Sequence, residues 1–292
     1  MKSRFFAFFL ILGALPLAGA EKISVCAGLP PVAHIAAIVG GARVSVSSML
    51  PAGRSPHDYA PGPRELRQAM KARIFFTTNM LYEKRITRAL KKDVPVVDVS
   101  QKIRRIPLSA AGHDHHHCDH AHHNCGGDAD AGDPHIWLSP VNCAVIADHI
   151  ARELGRIAPQ YKKEFEKRAA DFAVRMRKIH ENTLKRLTPF KGKSFFVYHP
   201  AFGYFAALYG LQQKAIELGG REATPARMAA VIREARKAGV KVVFVQKQFN
   251  PASAKALANA IKGEVVELDP LAPDAEKNFL DISNALCRGF GK

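Results

Sequence analysis

At 292 residues, 47% of them apolar, the chain is long enough to bury either one large core or two moderate ones, and its composition excludes disorder throughout. The formal charge of +17 falls to +15 without Lys2 and Arg4. Such a balance invites nucleic acid in a cytoplasmic protein, but the basic residues spread along helical stretches such as Tyr161 to Leu187 without aromatic interleaving. They read as a solvated surface with no nucleic-acid partner.

The chain opens with Lys2 and Arg4, an apolar run from Phe5 to about Leu17, and the small residues Ala18-Gly19-Ala20. This is the pattern of a signal peptide cleaved after Ala20, spanning residues 1–20, and it predicts an exported, periplasmic protein. Lipid attachment needs a cysteine where Ala20 stands, so the mature protein is expected to diffuse freely. No later segment is apolar for long enough to cross a bilayer.

From Glu21 onward, short β-branched runs alternate with amphipathic stretches, which predicts an α/β fold. Strands are expected at Ile23 to Ala27, Arg43 to Met49, Ile74 to Thr78 and Val94 to Val99, with helices near Val32 to Val39, Arg64 to Met70 and Tyr82 to Lys92. The long loop after the second strand is stiffened by Pro51, Pro56, Pro61 and Pro63. Ala110 to Gly132, rich in His and Asp, offers nothing to a core and reads as a surface loop. From Pro159 to Leu187 there is no glycine or internal proline, and Tyr161, Phe165, Phe172, Met176, Ile179 and Leu187 recur at helical spacing. A helix of that length is roughly 40 Å long and stiff enough to join two domains. The alternation then restarts, with strands at Ser194 to Tyr198, Gln213 to Glu217, Val240 to Val245 and Glu264 to Leu268, and helices at Thr224 to Lys237, Ala252 to Ile261 and Ala275 to Cys287. The expected organisation is an N-terminal lobe (21–157), a linking helix (158–188) and a similar C-terminal lobe (189–292), each lobe a mainly parallel sheet flanked by helices.

Three histidines stand apart from the His-rich loop, each beside a proline: His57, His135 and His199. Each follows the carboxyl end of an expected strand, closely or at the end of a loop, where open α/β sheets bind ligands, so the three can meet in one crevice. Asp269, at the same end of the last strand, is expected to complete a four-ligand set, though followed by Pro270 it reads equally as a turn residue. Neutral imidazoles with one carboxylate favour Zn²⁺ over manganese, which prefers more oxygen ligands. Ligands from both lobes would let the ion bridge them. His113, His115, His116, His117, His120, His122 and His123 are read as an accessory metal loop, with solubility as the plainer alternative. The five cysteines allow two disulfides, and pairing is not fixed by sequence: Cys118 and Cys125 are near neighbours, while Cys26, Cys143 and Cys287 are as readily buried and unpaired.

The segments SPHDYAPGPREL, DPHIWLSP, VYHPAFGYFAALYGL, FVQKQFN and ELDPL, in this order along the mature chain, resemble the cluster A-I solute-binding proteins, specifically the ZnuA-type zinc receptors of ATP-binding-cassette importers. The resemblance implies two lobes on one long helix, little domain movement, a monomer, and delivery of zinc to an integral membrane permease. It carries the ligand histidines onto His57, His135 and His199 and the C-lobe aspartate onto Asp269. Where some members place a glutamate before the first histidine, this chain has Pro56, which leaves Asp269 or water for the fourth position. Manganese-specific relatives have glutamate in the place of His199. The family's bridge between a C-terminal cysteine and a preceding strand is not expected: Cys287 fits one end, but Val240 to Val245 holds no cysteine.

Three histidines and an exchangeable position also suit a zinc hydrolase. Against an enzyme stand the lack of a His-x-x-x-His helix pair and of an adjacent general base other than Asp58. An adhesin fits the fold but has no signal of its own.

Overall fold

The computed structural model describes residues 21–90, 93–108, 132–217 and 223–291. The expected signal peptide, the seven loop histidines, Cys118 and Cys125 lie outside the described residues.

The first sheet is built from β1 (Ile23–Ala27), β2 (Val44–Ser48), β3 (Ile74–Thr77) and β4 (Val96–Asp98), connected through α1 (Pro30–Gly40), α2 (Pro63–Ala69) and α3 (Leu81–Leu90). All neighbours are parallel, in the order β2-β1-β3-β4. The second sheet repeats this plan with β5 (Ser194–Val197), β6 (Gln212–Ala215), β7 (Val242–Gln246) and β8 (Glu264–Leu268), in the order β6-β5-β7-β8. Its helices are α6 (Gly203–Tyr209), α7 (Pro225–Lys237), α8 (Ala252–Ala260) and α9 (Ala275–Phe290). In both sheets the chain leaves the first strand toward one neighbour and returns on its other side. The resulting switch point, between β1 and β3 or between β5 and β7, opens a crevice at the strands' carboxyl ends.

Between the sheets run α4 (Pro140–Ile157) and the linking α5 (Lys162–Leu187), the latter preceded by a 3-10 turn at Pro159–Tyr161. Phe165, Ala169, Phe172, Met176, Thr183 and Leu187 form the buried stripe of α5, which packs against α1, α4, α6 and α9 and so touches elements of both halves. The helices α4 and α6 were not among the expected elements. Yet α4 carries a strong start signal, Ser139 accepting the Asn142 N–H and Pro140 opening the first turn, followed by Cys143, Ile146, Ala147, Ile150, Ala151 and Leu154 on one face.

A shared core joins the two sheets. Alternate residues of β5 face opposite ways: Phe195 and Val197 join a core that extends without break through Phe75, Trp137, Phe172, Phe202 and Phe279. Phe196 and Tyr198 point to a smaller cluster beneath α7 and α8. Moving one sheet against the other would break that shared interior and expose apolar surface to water.

Candidate metal centre

Each of the three motif histidines is fixed by a different local device. His57 sits in the loop after β2, which is anchored where the Met49 and Leu50 N–H groups extend the pairing to Ala27 and Gly28, and its own N–H donates to Ser55 Oγ at 3.2 Å. His135 follows the buried Asp133, whose Oδ1 accepts both the His135 backbone N–H at 2.9 Å and the ring Nδ1–H at 2.7 Å. Arg105 holds that turn in place, donating to the Asp133 carbonyl at 3.2 Å and to the Thr78 carbonyl at 2.8 Å. His199 lies two residues beyond β5. The Gln246 side chain, at the end of β7, clamps its backbone on both sides, accepting from the His199 N–H and donating to its carbonyl. Glu217 Oε1 takes the His199 Nδ1–H at 2.6 Å, and Phe249 stacks on the ring with centroids 5.0 Å apart.

The consequence is a fixed tautomer. With both Nδ1–H groups donated to carboxylates, the Nε2 atoms of His135 and His199 carry bare lone pairs, and these face one another at 3.2 Å. Two lone pairs at that distance repel unless something positive lies between them. Two nitrogens bound at about 2.0–2.1 Å to one tetrahedral Zn²⁺ stand about 3.3 Å apart. His57 closes the group, its ring centroid 4.5 Å from that of His199 and 5.6 Å from that of His135. One ligand atom from each of the three lies within 4.8 Å of the others.

The electrostatics disfavour protonation of His57 and His199. Although the His57 residue retains an exposed flank, removal of its ring from water, with smaller contributions from His199 and His135, pushes its pKa down to about 2. Burial also lowers that of His199, against the opposing pull of Glu217. The cavity shared by these rings, Gln248, Phe249 and Leu271 is about 10 Å³, room for an ion or a water. A larger hollow of about 340 Å³ lies at the opposite ends of the C-terminal strands, between Lys193 and Lys241, and among the described residues gathers no ligand set.

Residues 25–288 match the family described as ZnuA, zinc-uptake complex component A, periplasmic. The chain belongs to this family. Relatives of the ZnuA family include the zinc-binding protein AdcA of Streptococcus pyogenes serotype M3, 28% identical over 270 residues, covering 88% of this chain and 52% of AdcA. The high-affinity zinc uptake system protein ZnuA of Yersinia pestis is 28% identical over 300 residues, covering 94% of each chain. A crystal structure of ZnuA superposes with a TM-score of 0.83 at 26% identity, covering 92% of this chain and 99% of that one. The chain thus spans about half the length of its AdcA relatives and nearly the whole of ZnuA.

Of the expected ligands, the fold brings His57, His135 and His199 together. Asp269 stands beyond β8, where its Oδ1 accepts from Gln248 Nε2 and from the Leu271 N–H, both at 2.9 Å, outside the three-histidine group. The residues that orient the imidazoles, Asp133, Glu217 and Gln246, were not singled out in the sequence. Asp133 was visible two residues before His135. Glu217 was hidden inside an expected strand: β6 ends at Ala215, so Glu217 lies past the sheet edge and turns toward His199. Cys26, Cys143 and Cys287 are free thiols.

Proposed function

We propose that this chain is a periplasmic zinc receptor that captures Zn²⁺ with His57, His135 and His199 and delivers it to the integral membrane permease of an ATP-binding-cassette importer. The observation that carries the reading is the facing pair of Nε2 atoms at 3.2 Å, each backed by a carboxylate, in a chain of the ZnuA family. Three nitrogen donors favour zinc over manganese. The Asp133 and Glu217 carboxylates balance the charge of a bound Zn²⁺ without occupying its coordination sphere. The ligands come from both lobes, as does the bond from Trp137 Nε1–H to the Pro270 carbonyl at 2.7 Å, so the ion would lock an arrangement already held by the shared core. A cavity of about 10 Å³ leaves no room for an organic substrate, which supports carriage rather than turnover.

In this reading residues 1–20 are removed as a signal peptide, no lipid is attached, and a monomeric lobe–helix–lobe protein (21–157, 158–188, 189–292) diffuses to its permease. The histidines between His113 and His123 gather zinc but are not the principal site. Asp269 and water are the candidates for the fourth position. Calorimetric zinc titration tests this directly. With residues 113–123 deleted, one high-affinity site should remain, and His57→Ala, His135→Ala or His199→Ala should each weaken it sharply. Affinity that disappears with the loop and survives all three replacements would refute the assignment.

A further inference from the structure

Gln248 lies two residues beyond Gln246, in the turn closed by the Phe249 N–H on the Gln246 carbonyl, while Lys247 between them pairs with Glu267 at the surface. Gln246 is occupied in clamping His199. Gln248 has one end engaged: its Nε2 donates to Asp269 Oδ1 at 2.9 Å, which fixes which way the amide faces. Its Oε1 is shielded from solvent and has no hydrogen-bond partner, and the residue lines the pocket of the three histidines. A buried amide oxygen left unsatisfied costs about 1–3 kcal/mol, so a donor belongs beside it. Three imidazoles fill three corners of a tetrahedral zinc. The fourth suits a water, which the cation polarises into a strong donor.

Resting on the three-histidine reading above, we propose that Gln248 is the positioning residue for the fourth coordination place, its Oε1 accepting a hydrogen bond from the water bound there. Asp269 then acts through the amide, by orienting it, and not on the ion. The choice of an amide has a chemical consequence. A carboxylate in this position would take the proton of the water and leave zinc-bound hydroxide, the nucleophile of zinc hydrolases. An amide orients the water and cannot deprotonate it. The geometry thus separates holding zinc from activating it.

The test uses the full mature chain with one equivalent of Zn²⁺ for affinity, by chelator competition, and one of Co²⁺ for its visible spectrum. Gln248→Met, which keeps the length and removes the amide, should lose about tenfold in zinc affinity, as other residues behind metal ligands do. It should keep one metal per chain and alter the Co²⁺ bands. Asp269→Asn should cost less, and nothing further in the Gln248→Met background. Unchanged affinity and spectrum in Gln248→Met would overturn the proposal. So would a larger spectral change in Asp269→Asn, which would put that carboxylate on the ion. His199→Ala in the same assay separates the two claims: if it binds zinc like the parent, the three-histidine site itself fails, whatever Gln248 does.

Discussion

Replacing Glu217 by glutamine removes one negative charge and nearly nothing else, because the amide oxygen can still accept the Nδ1–H of His199. In the folded protein that bond is 2.6 Å long, between two buried groups. An ion on Nε2, across the ring, would lie roughly 6–7 Å from the Glu217 carboxylate. At an effective dielectric constant of about 20, a divalent cation and a single negative charge at that distance attract by about 5 kcal/mol. The hydrogen bond that glutamine retains and the relaxation of nearby dipoles reduce the loss to the tenfold to hundredfold typical of residues behind metal ligands, about 1.4–2.8 kcal/mol. Zinc affinity of Glu217→Gln, measured by chelator competition at neutral pH and low ionic strength, should fall within that range with one metal still bound per chain. Affinity equal to or tighter than the parent's would refute the claim that the charge of the Glu217 carboxylate supports the bound ion.

Acid should weaken zinc binding gently: two imidazoles of ordinary pKa, about 6.5, would together forfeit about a hundredfold at pH 5.5. Here the lowered pKa values of His57 and His199 keep both neutral as pH falls, so affinity measured at pH 7.5 and pH 5.5 should differ by no more than about tenfold. Trp137→Phe breaks the indole bond to Pro270 that ties the two lobes beside the site. It should cost about 1–3 kcal/mol in urea denaturation of the metal-free protein, since the Pro270 carbonyl loses its partner. Gly28→Ala would set a methyl 1.6 Å from Glu83 Oε1. The carboxyl group in its path holds the Thr77 and Thr78 hydroxyls and the Thr78 and Met80 N–H groups at the start of α3, so the same denaturation assay should report about 1–3 kcal/mol of lost stability or more.

The sequence made the strands legible where both faces are buried or the turns are sharply marked. β1 and β8 fall on the expected residues, whereas β4 is shorter than expected at Val96–Asp98, the three residues in register with Phe75–Thr77 of β3. The three clustered histidines were readable because each stands out in a short motif near a strand's carboxyl end. Their partners were not, for a physical reason. Glu217 follows an edge strand and Gln246 ends a central one, and neither is near His199 in the chain; only the order β6-β5-β7 brings them together. Asp269 shows the opposite failure: its place at the end of β8 is as expected, yet proximity to the crevice did not reveal that Gln248 and the Leu271 N–H already engage its Oδ1. The shared core was likewise invisible, since alternation along β5 marks two buried faces without saying that one of them continues into the other lobe.

The most direct test of the three-histidine site is zinc-edge X-ray absorption on residues 21–292 with 113–123 deleted, loaded with one equivalent of Zn²⁺. The arrangement of His57, His135 and His199 predicts three imidazole nitrogens at about 2.0–2.1 Å and one further light ligand. Fewer than three imidazoles, or a sulfur ligand at about 2.3 Å, would contradict it.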